Sequence, residues 1–171
     1  MNRFVAIDFE TADHGPDSAC AVGLALIEDG RLTGTLHRLI RPPRREFVFT
    51  WVHGLTWHDV AEAPCFAELW PTLESFLAQG EALVAHNAPF DRNVLRGCCA
   101  AAGIAPPDLP FLCTVRLARA AWRLRPTRLP DVCRHLAIPL DHHNALSDAS
   151  ACASILIAAL EDGLAPEAAL A

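Results

Sequence analysis

The sequence predicts an α/β layered domain with a mixed sheet, three strands pairing antiparallel and two adding in parallel. Three observations carry this. Two strand-length runs are joined through Asp29-Gly30, a dipeptide suited to a tight hairpin; two later apolar runs each lead into a helical pattern; and no repeat or low-complexity tract interrupts the order. With 171 residues, 52% of them hydrophobic, the chain is sized for one domain over residues 1–171 with a sizeable core.

Residues 3 to 8 are predicted as the first strand and Ala21 to Glu28 as the second, whose unbroken apolar character suits a central position. After the Asp29-Gly30 turn, Arg31 to Ile40 gives a third strand and closes an antiparallel unit. Arg41-Pro42-Pro43-Arg44-Arg45 cannot continue a ladder, because proline has no N–H to donate, and is predicted as an exposed basic loop. Phe47 to Ala63 is aromatic-rich and broken by Gly54, and is predicted irregular with one short helix near Trp57 to Ala61. From Phe66 to Ala78, Phe66, Leu69, Trp70, Leu73, Phe76 and Leu77 fall at helical spacing. Ala82 to Ala85 has the length of a strand, and Asn87 and Pro89 after it mark the start of a helix that runs to about Ala102 and stops at Gly103. Phe111 to Cys113 is a last short strand, with Thr114 as candidate cap of a helix carrying Arg116, Arg119, Arg123 and Arg125. Leu129 to Leu136 is a further short helix, and Ala145 to Leu160 a long one capped by Asn144.

The first strand also carries the first candidate functional residues. A period of two puts Asp8 and Glu10 on one face and Phe9 on the other. Two carboxylates on one small patch raise each other's proton affinity, an arrangement that a divalent cation relieves; taken alone, the pair equally fits a strand ending at a polar turn. Asp91 and Asp148 stand in the first turns of helices, where free backbone N–H groups satisfy a carboxylate. Each has a neighbour that capping does not require. Asp91 closes the run His86-Asn87-Ala88-Pro89-Phe90-Asp91, and Asp148 lies five residues after His143. A histidine beside a metal-binding carboxylate is a candidate base.

Composition narrows the classes. The net charge of -6 argues against a simple electrostatic nucleic-acid binder, although acids that hold metal ions are locally neutralised. All 14 basic residues are arginine, whose planar fork matches phosphate oxygens. The seven cysteines (Cys20, Cys65, Cys98, Cys99, Cys113, Cys133 and Cys152) lack C-x-x-C spacing and read as reduced core thiols. No run approaches the roughly 20 apolar residues of a membrane span, and no basic-then-apolar leader opens the chain, so a soluble, cytoplasmic protein is expected.

Taken together, the motifs resemble those of the DEDDh-type 3'-5' exonucleases, the DnaQ-like family typified by the proofreading subunit of bacterial DNA polymerase III. Asp8-Phe9-Glu10-Thr11 resembles the first motif, His86 to Asp91 the second, and His143-Asn144-Ala145-Leu146-Ser147-Asp148-Ala149 the third. His53-Gly54-Leu55-Thr56 and Ala63-Pro64-Cys65-Phe66 are similar to the segment between the first two. The likeness covers roughly residues 3 to 160, and three motifs in order are far more specific than any one. It implies an RNase H-like fold, with a five-stranded mixed sheet and helices on both faces. Two divalent ions, Mg2+ or Mn2+, held by Asp8, Glu10, Asp91 and Asp148 are implied as cofactors, and His143 as general base; motif spacing leaves His142 without a role. Thr11, Val52, His53 and Asn87 are implied to line the pocket for the terminal nucleotide. Implied partners are single-stranded DNA or RNA 3' ends and a DNA polymerase, in replication or repair.

Arg44, Arg45 and the arginines from Arg116 to Arg128 are candidates to guide phosphates, against the ordinary reading of a solvated helix face. The same residues bear on other functions. A non-catalytic nucleic-acid-binding or polymerase-accessory module would be supported by loss of a metal-binding carboxylate, and all four are present. The only glutamine, Gln79, lies at the end of the predicted helix before the second motif, so a glutamine-led sliding-clamp motif is absent, and the chain ends soon after the third motif; both favour a stand-alone exonuclease over a tethered proofreader. A zinc protein using Cys98, Cys99, His142 and His143 lacks ligand spacing. DNA versus RNA as substrate, the preferred ion and the oligomeric state are open at this level.

Overall fold

The computed structural model describes residues 3–171. Five strands, β1 (Arg3–Thr11), β2 (Ala19–Glu28), β3 (Arg31–Leu39), β4 (Ala82–Ala85) and β5 (Phe111–Cys113), form one sheet in the order β3-β2-β1-β4-β5. β1 pairs antiparallel with β2 and β2 with β3; β1 pairs parallel with β4 and β4 with β5. The hairpin turns on Asp29 and Gly30, both with positive φ, as a two-residue turn requires. The predicted mixed sheet is therefore the observed one. The first strand is longer than predicted: Phe9, Glu10 and Thr11 keep pairing with Val22, Ala21 and Ala19, so the acids lie within the ladder.

Seven helices accompany the sheet: α1 (Thr50–His53), α2 (Trp57–Val60), α3 (Phe66–Leu77), α4 (Pro89–Ala101), α5 (Thr114–Trp122), α6 (Leu129–Leu136) and α7 (Ala145–Glu161). Among the described residues, α3 to α7 divide between the two faces. Val5, Ile7 and Phe9 point into a core shared with Leu69, Leu73 and Leu77 of α3 and Val94 and Leu95 of α4. Phe4 and Ala6 point the other way, onto Leu117 of α5, Val132 of α6 and Ile155 and Leu156 of α7. Asp8 and Glu10 continue this second register, toward α7.

Gly23 of β2 lies opposite Asp8 in the ladder, and a Cβ there would overlap the Ala145 backbone carbonyl at the start of α7. The bare backbone lets α7 rest directly on the sheet beside the acids. Gly97 of α4 plays a comparable part, since a Cβ would sit 2.6 Å from the Pro16 carbonyl. All seven cysteines are free thiols. None of the described helices is long and apolar enough to cross a membrane.

Several local expectations are corrected. Thr50 to His53 is a helical turn rather than irregular chain, closed by left-handed Gly54. Thr114 does not cap α5; it is the first helical residue, and its hydroxyl meets the His86 Nδ1 at 2.7 Å. Arg123 is the left-handed cap of α5 and Arg125 lies beyond the helix. Arg44 is not free to meet phosphate, because its guanidinium bonds both Asp13 (2.7 Å) and Asp17 (2.6 Å) and ties the Pro-Pro loop to the segment after β1. Arg45 lies over the Trp57 ring, 5.2 Å from its centre. A 3₁₀ turn, Pro166–Ala169, follows α7 and lies outside the predicted elements.

Candidate active site

Four carboxylates from three elements converge at the C-terminal end of β1. Asp8 and Glu10 come from β1, Asp91 from the first turn of α4 and Asp148 from the first turn of α7. Ligand oxygens of Asp8, Glu10 and Asp148 lie within 4.8 Å of one another. Asp91 is 1% exposed and accepts the Phe9 N–H at 3.1 Å, a bond spanning 82 residues of sequence. It thereby fixes the strand end against α4, which a local helix cap would not do. Asn144 caps α7 as predicted, accepting the N–H groups of Leu146 and Ser147.

The electrostatics follow from burial and repulsion. Asp8 keeps part of its surface open to the cleft but sits deep in the protein. Burial, then the Asp91, Asp148 and Glu10 charges, raise its pKa well above the ordinary value. Burial and the neighbouring acids push Glu10 up to about 8, and burial chiefly pushes Asp91 up to about 8. Asp148 is raised by burial as well, against an opposing pull from His142. No arginine pairs with any of the four among the described residues, and the Asp148 Oδ1 is buried with no hydrogen-bond partner. A buried, unpartnered carboxylate oxygen is costly, and its natural complement is a cation.

The two histidines differ from expectation. The His142 Nδ1 lies 2.9 Å from the Asp148 Oδ2, so the residue that had no role is the one whose side chain engages a candidate ligand. His143 reaches the same oxygen through its backbone N–H at 3.2 Å, leaving its ring free of hydrogen bonds among the described residues. The two rings stack with centroids 3.7 Å apart. Burial and the neighbouring His142 hold the His143 imidazole below its usual pKa, with Asp148 pulling the other way. His143 and Asn87 both have positive φ, 70° and 61°, in the region that costs a non-glycine residue energy and that recurs at functional sites.

These groups open into a cleft of about 900 Å³, which Thr11, Val52, His53 and Asn87 also border. His53 does more than line it. Its Nδ1 accepts the Leu55 N–H at 3.1 Å, so its Nε2 carries the proton and donates to the Thr11 carbonyl, also at 3.1 Å. Both ring nitrogens are engaged, and together they tie the chain at Leu55 to the end of β1. Sequence reasoning missed Phe49, Phe90, Arg134 and His86 on the same walls. His86 lies within the second motif and could have been read as a site residue; burial pulls its pKa down to about 4. The zinc set is not assembled: Cys98 and Cys99 are buried in α4, and the metal-capable groups among the described residues are Asp8/Glu10/Asp148 and His142/His143/Asp148.

Comparison with known proteins agrees with this fold. The exonuclease family model of the RNase T type matches residues 5–156. The PolC-type DNA polymerase III of Thermotoga petrophila is 30% identical over 162 residues, which cover 92% of this chain but 12% of that protein, so the chain spans a small part of its length. The structure of exonuclease X in complex with 5' overhanging duplex DNA has a TM-score of 0.79 at 24% identity, with 97% of this chain and 96% of that one covered. The nuclease domain of 3'hExo, a DEDDh family member bound to rAMP, gives 0.81 at 18% identity, covering 95% and 93%. The family match over most of the chain, on the shared sheet architecture, shows that it belongs to the exonuclease family, with an RNase H-like fold.

Proposed function

We propose that the chain removes nucleotides from the 3' end of single-stranded DNA or short RNA, releasing nucleoside 5'-monophosphates. In this reading Asp8, Glu10, Asp91 and Asp148 hold two divalent ions, Mg2+ or Mn2+, and His143 is the general base. The observation that carries it is four clustered acids, three of them buried, with no arginine to neutralise them and one orphaned carboxylate oxygen. The donor set fits the ions: all ligands are hard oxygens, as Mg2+ and Mn2+ prefer. When bound, such ions lower the pKa of an attacking water and stabilise the charge on the leaving 3' oxygen.

The chain's own residues supply the remaining chemistry. The His143 ring, free of other partners, takes the proton of the attacking water on an imidazole nitrogen as the new P–O bond forms and the bond to the 3' oxygen breaks. His142 holds the Asp148 carboxylate in one orientation through Nδ1, as outer partners of metal ligands commonly do. Thr11, Val52 and Asn87 border the place of the terminal nucleotide, and His53 positions Thr11. A module without catalysis on the same fold has no need of an intact acid set. A second reading, the same chemistry serving a DNA polymerase, is favoured by the polymerase relative.

The test uses 3'- and 5'-labelled single-stranded DNA and a short RNA, with Mg2+, Mn2+ or EDTA. Mononucleotides released from the 3' end are expected, and EDTA or Asp8→Ala should reduce the rate by at least about 10³-fold. Unchanged activity in Asp8→Ala removes the metal assignment, and no wild-type cleavage of either polymer returns the chain to a binding role.

A further inference from the structure

Several arginines outside the cleft are committed to other partners. Arg44 is held by Asp13 and Asp17, Arg45 lies over Trp57, and Arg92 and Arg116 bond the Ala171 and Leu170 carbonyls. Three others face the cleft itself. Arg119 of α5, Arg128 just before α6 and Arg134 of α6 all line the cleft that holds the acids. All three are exposed, and Arg119 makes no hydrogen bond or ion pair among the described residues.

Arg128 and Arg134 share one anchor, Asp131, at 2.7 and 3.2 Å. Shared anchoring sets two guanidiniums side by side without neutralising both, since three arginines against one aspartate leave a net charge of +2 on this wall. The same cleft carries the acids, neutralised once cations bind. A mononucleotide has one phosphate, and that group belongs with the acids. Guanidiniums spread over two helices in a cleft at the upper end of the roughly 300–1,000 Å³ range for ligand sites suit further phosphates of a chain.

We propose that Arg119, Arg128 and Arg134 form a phosphate-binding wall for the backbone of a single strand on the 5' side of its terminal nucleotide. This rests on the nuclease reading above for the identity of the strand end. The wall makes the protein select a polynucleotide over a free mononucleotide by charge, with bases left to face the apolar side chains of the cleft such as Phe49 and Phe90.

The experiment measures binding without turnover. On a His143→Ala background in Mg2+, a fluorescent oligothymidylate of about a dozen nucleotides is titrated across salt concentrations, with thymidine 5'-monophosphate as competitor. The Arg119→Gln/Arg134→Gln double variant is expected to bind the oligomer on the order of tenfold more weakly. The slope of log affinity against log salt should become shallower by about 0.7 for each phosphate that is no longer neutralised. Affinity for the monophosphate should change less than about twofold, so that the ratio of the two affinities carries the result. Unchanged oligomer affinity and slope overturn the wall, as does an equal loss for the monophosphate, which would place these arginines on the terminal nucleotide. If the wild-type protein cleaves nothing while the double variant still loses oligomer affinity and slope, the wall stands and the nuclease reading falls.

Discussion

At the scale of single residues, the third motif contains two histidines with different work. His143 has a free ring above the acids, and His142 spends its Nδ1 on Asp148. Steady-state rates should separate them: His143→Ala is expected to lose about 10²–10⁴-fold in kcat, as a general base does. His142→Ala should lose only about 10–100-fold and be partly restored by raising the Mg2+ concentration, since its effect runs through a metal ligand. The adjacency that makes the two hard to distinguish in sequence is resolved by which one reaches Asp148. Spacing alone favoured His143, but nothing in the sequence shows that the His142 ring reaches the Asp148 carboxylate.

At the scale of elements, the site depends on how closely α7 approaches the sheet. Gly23→Ala adds a methyl group where the Ala145 carbonyl already stands. It is expected to destabilise the fold by about 1–3 kcal/mol in denaturant titration and to weaken Mg2+ binding, because α7 carries Asp148. Asn144→Ala removes only the cap and should cost about 1 kcal/mol, with a smaller change in Mg2+ affinity. The elements themselves were legible in sequence where pattern was local: the hairpin, α6, the strands at Ala82 and Phe111 and the Asn144 cap. What was not legible depended on distant chain. Three more paired residues in β1 come from β2, the Arg44 clamp needs Asp13 and Asp17, and Thr114 is diverted from capping by His86. The function of Gly23, a plain strand residue in sequence, follows only from what lies above it.

At the scale of the whole molecule, the clustered acids set how stability responds to pH. Glu10 and Asp91 titrate near 8 in the folded protein, against ordinary carboxylate values of about 4 unfolded. The folded state therefore holds more protons between those limits, so without metal the contribution of these two groups to stability is fully present below about pH 4 and declines as pH rises toward 8. A divalent ion removes the repulsion, and its binding competes with those protons. The thermal midpoint should thus rise more on adding Mg2+ at pH 8 than at pH 5.5, with EDTA reversing the gain. Equal gains at both pH values would show that the acids are not where the ion binds.

The left-handed backbone at His143 sets function and stability against each other at one position. An L-residue there costs about 1–2 kcal/mol that glycine avoids, partly offset by the extra freedom glycine loses on folding. His143→Gly is therefore expected to yield an inactive protein at least as resistant to heat as its parent, a combination that a calorimeter and a nuclease assay read in one afternoon. Selection for robustness alone would discard this histidine, which accords with the role of general base proposed for it.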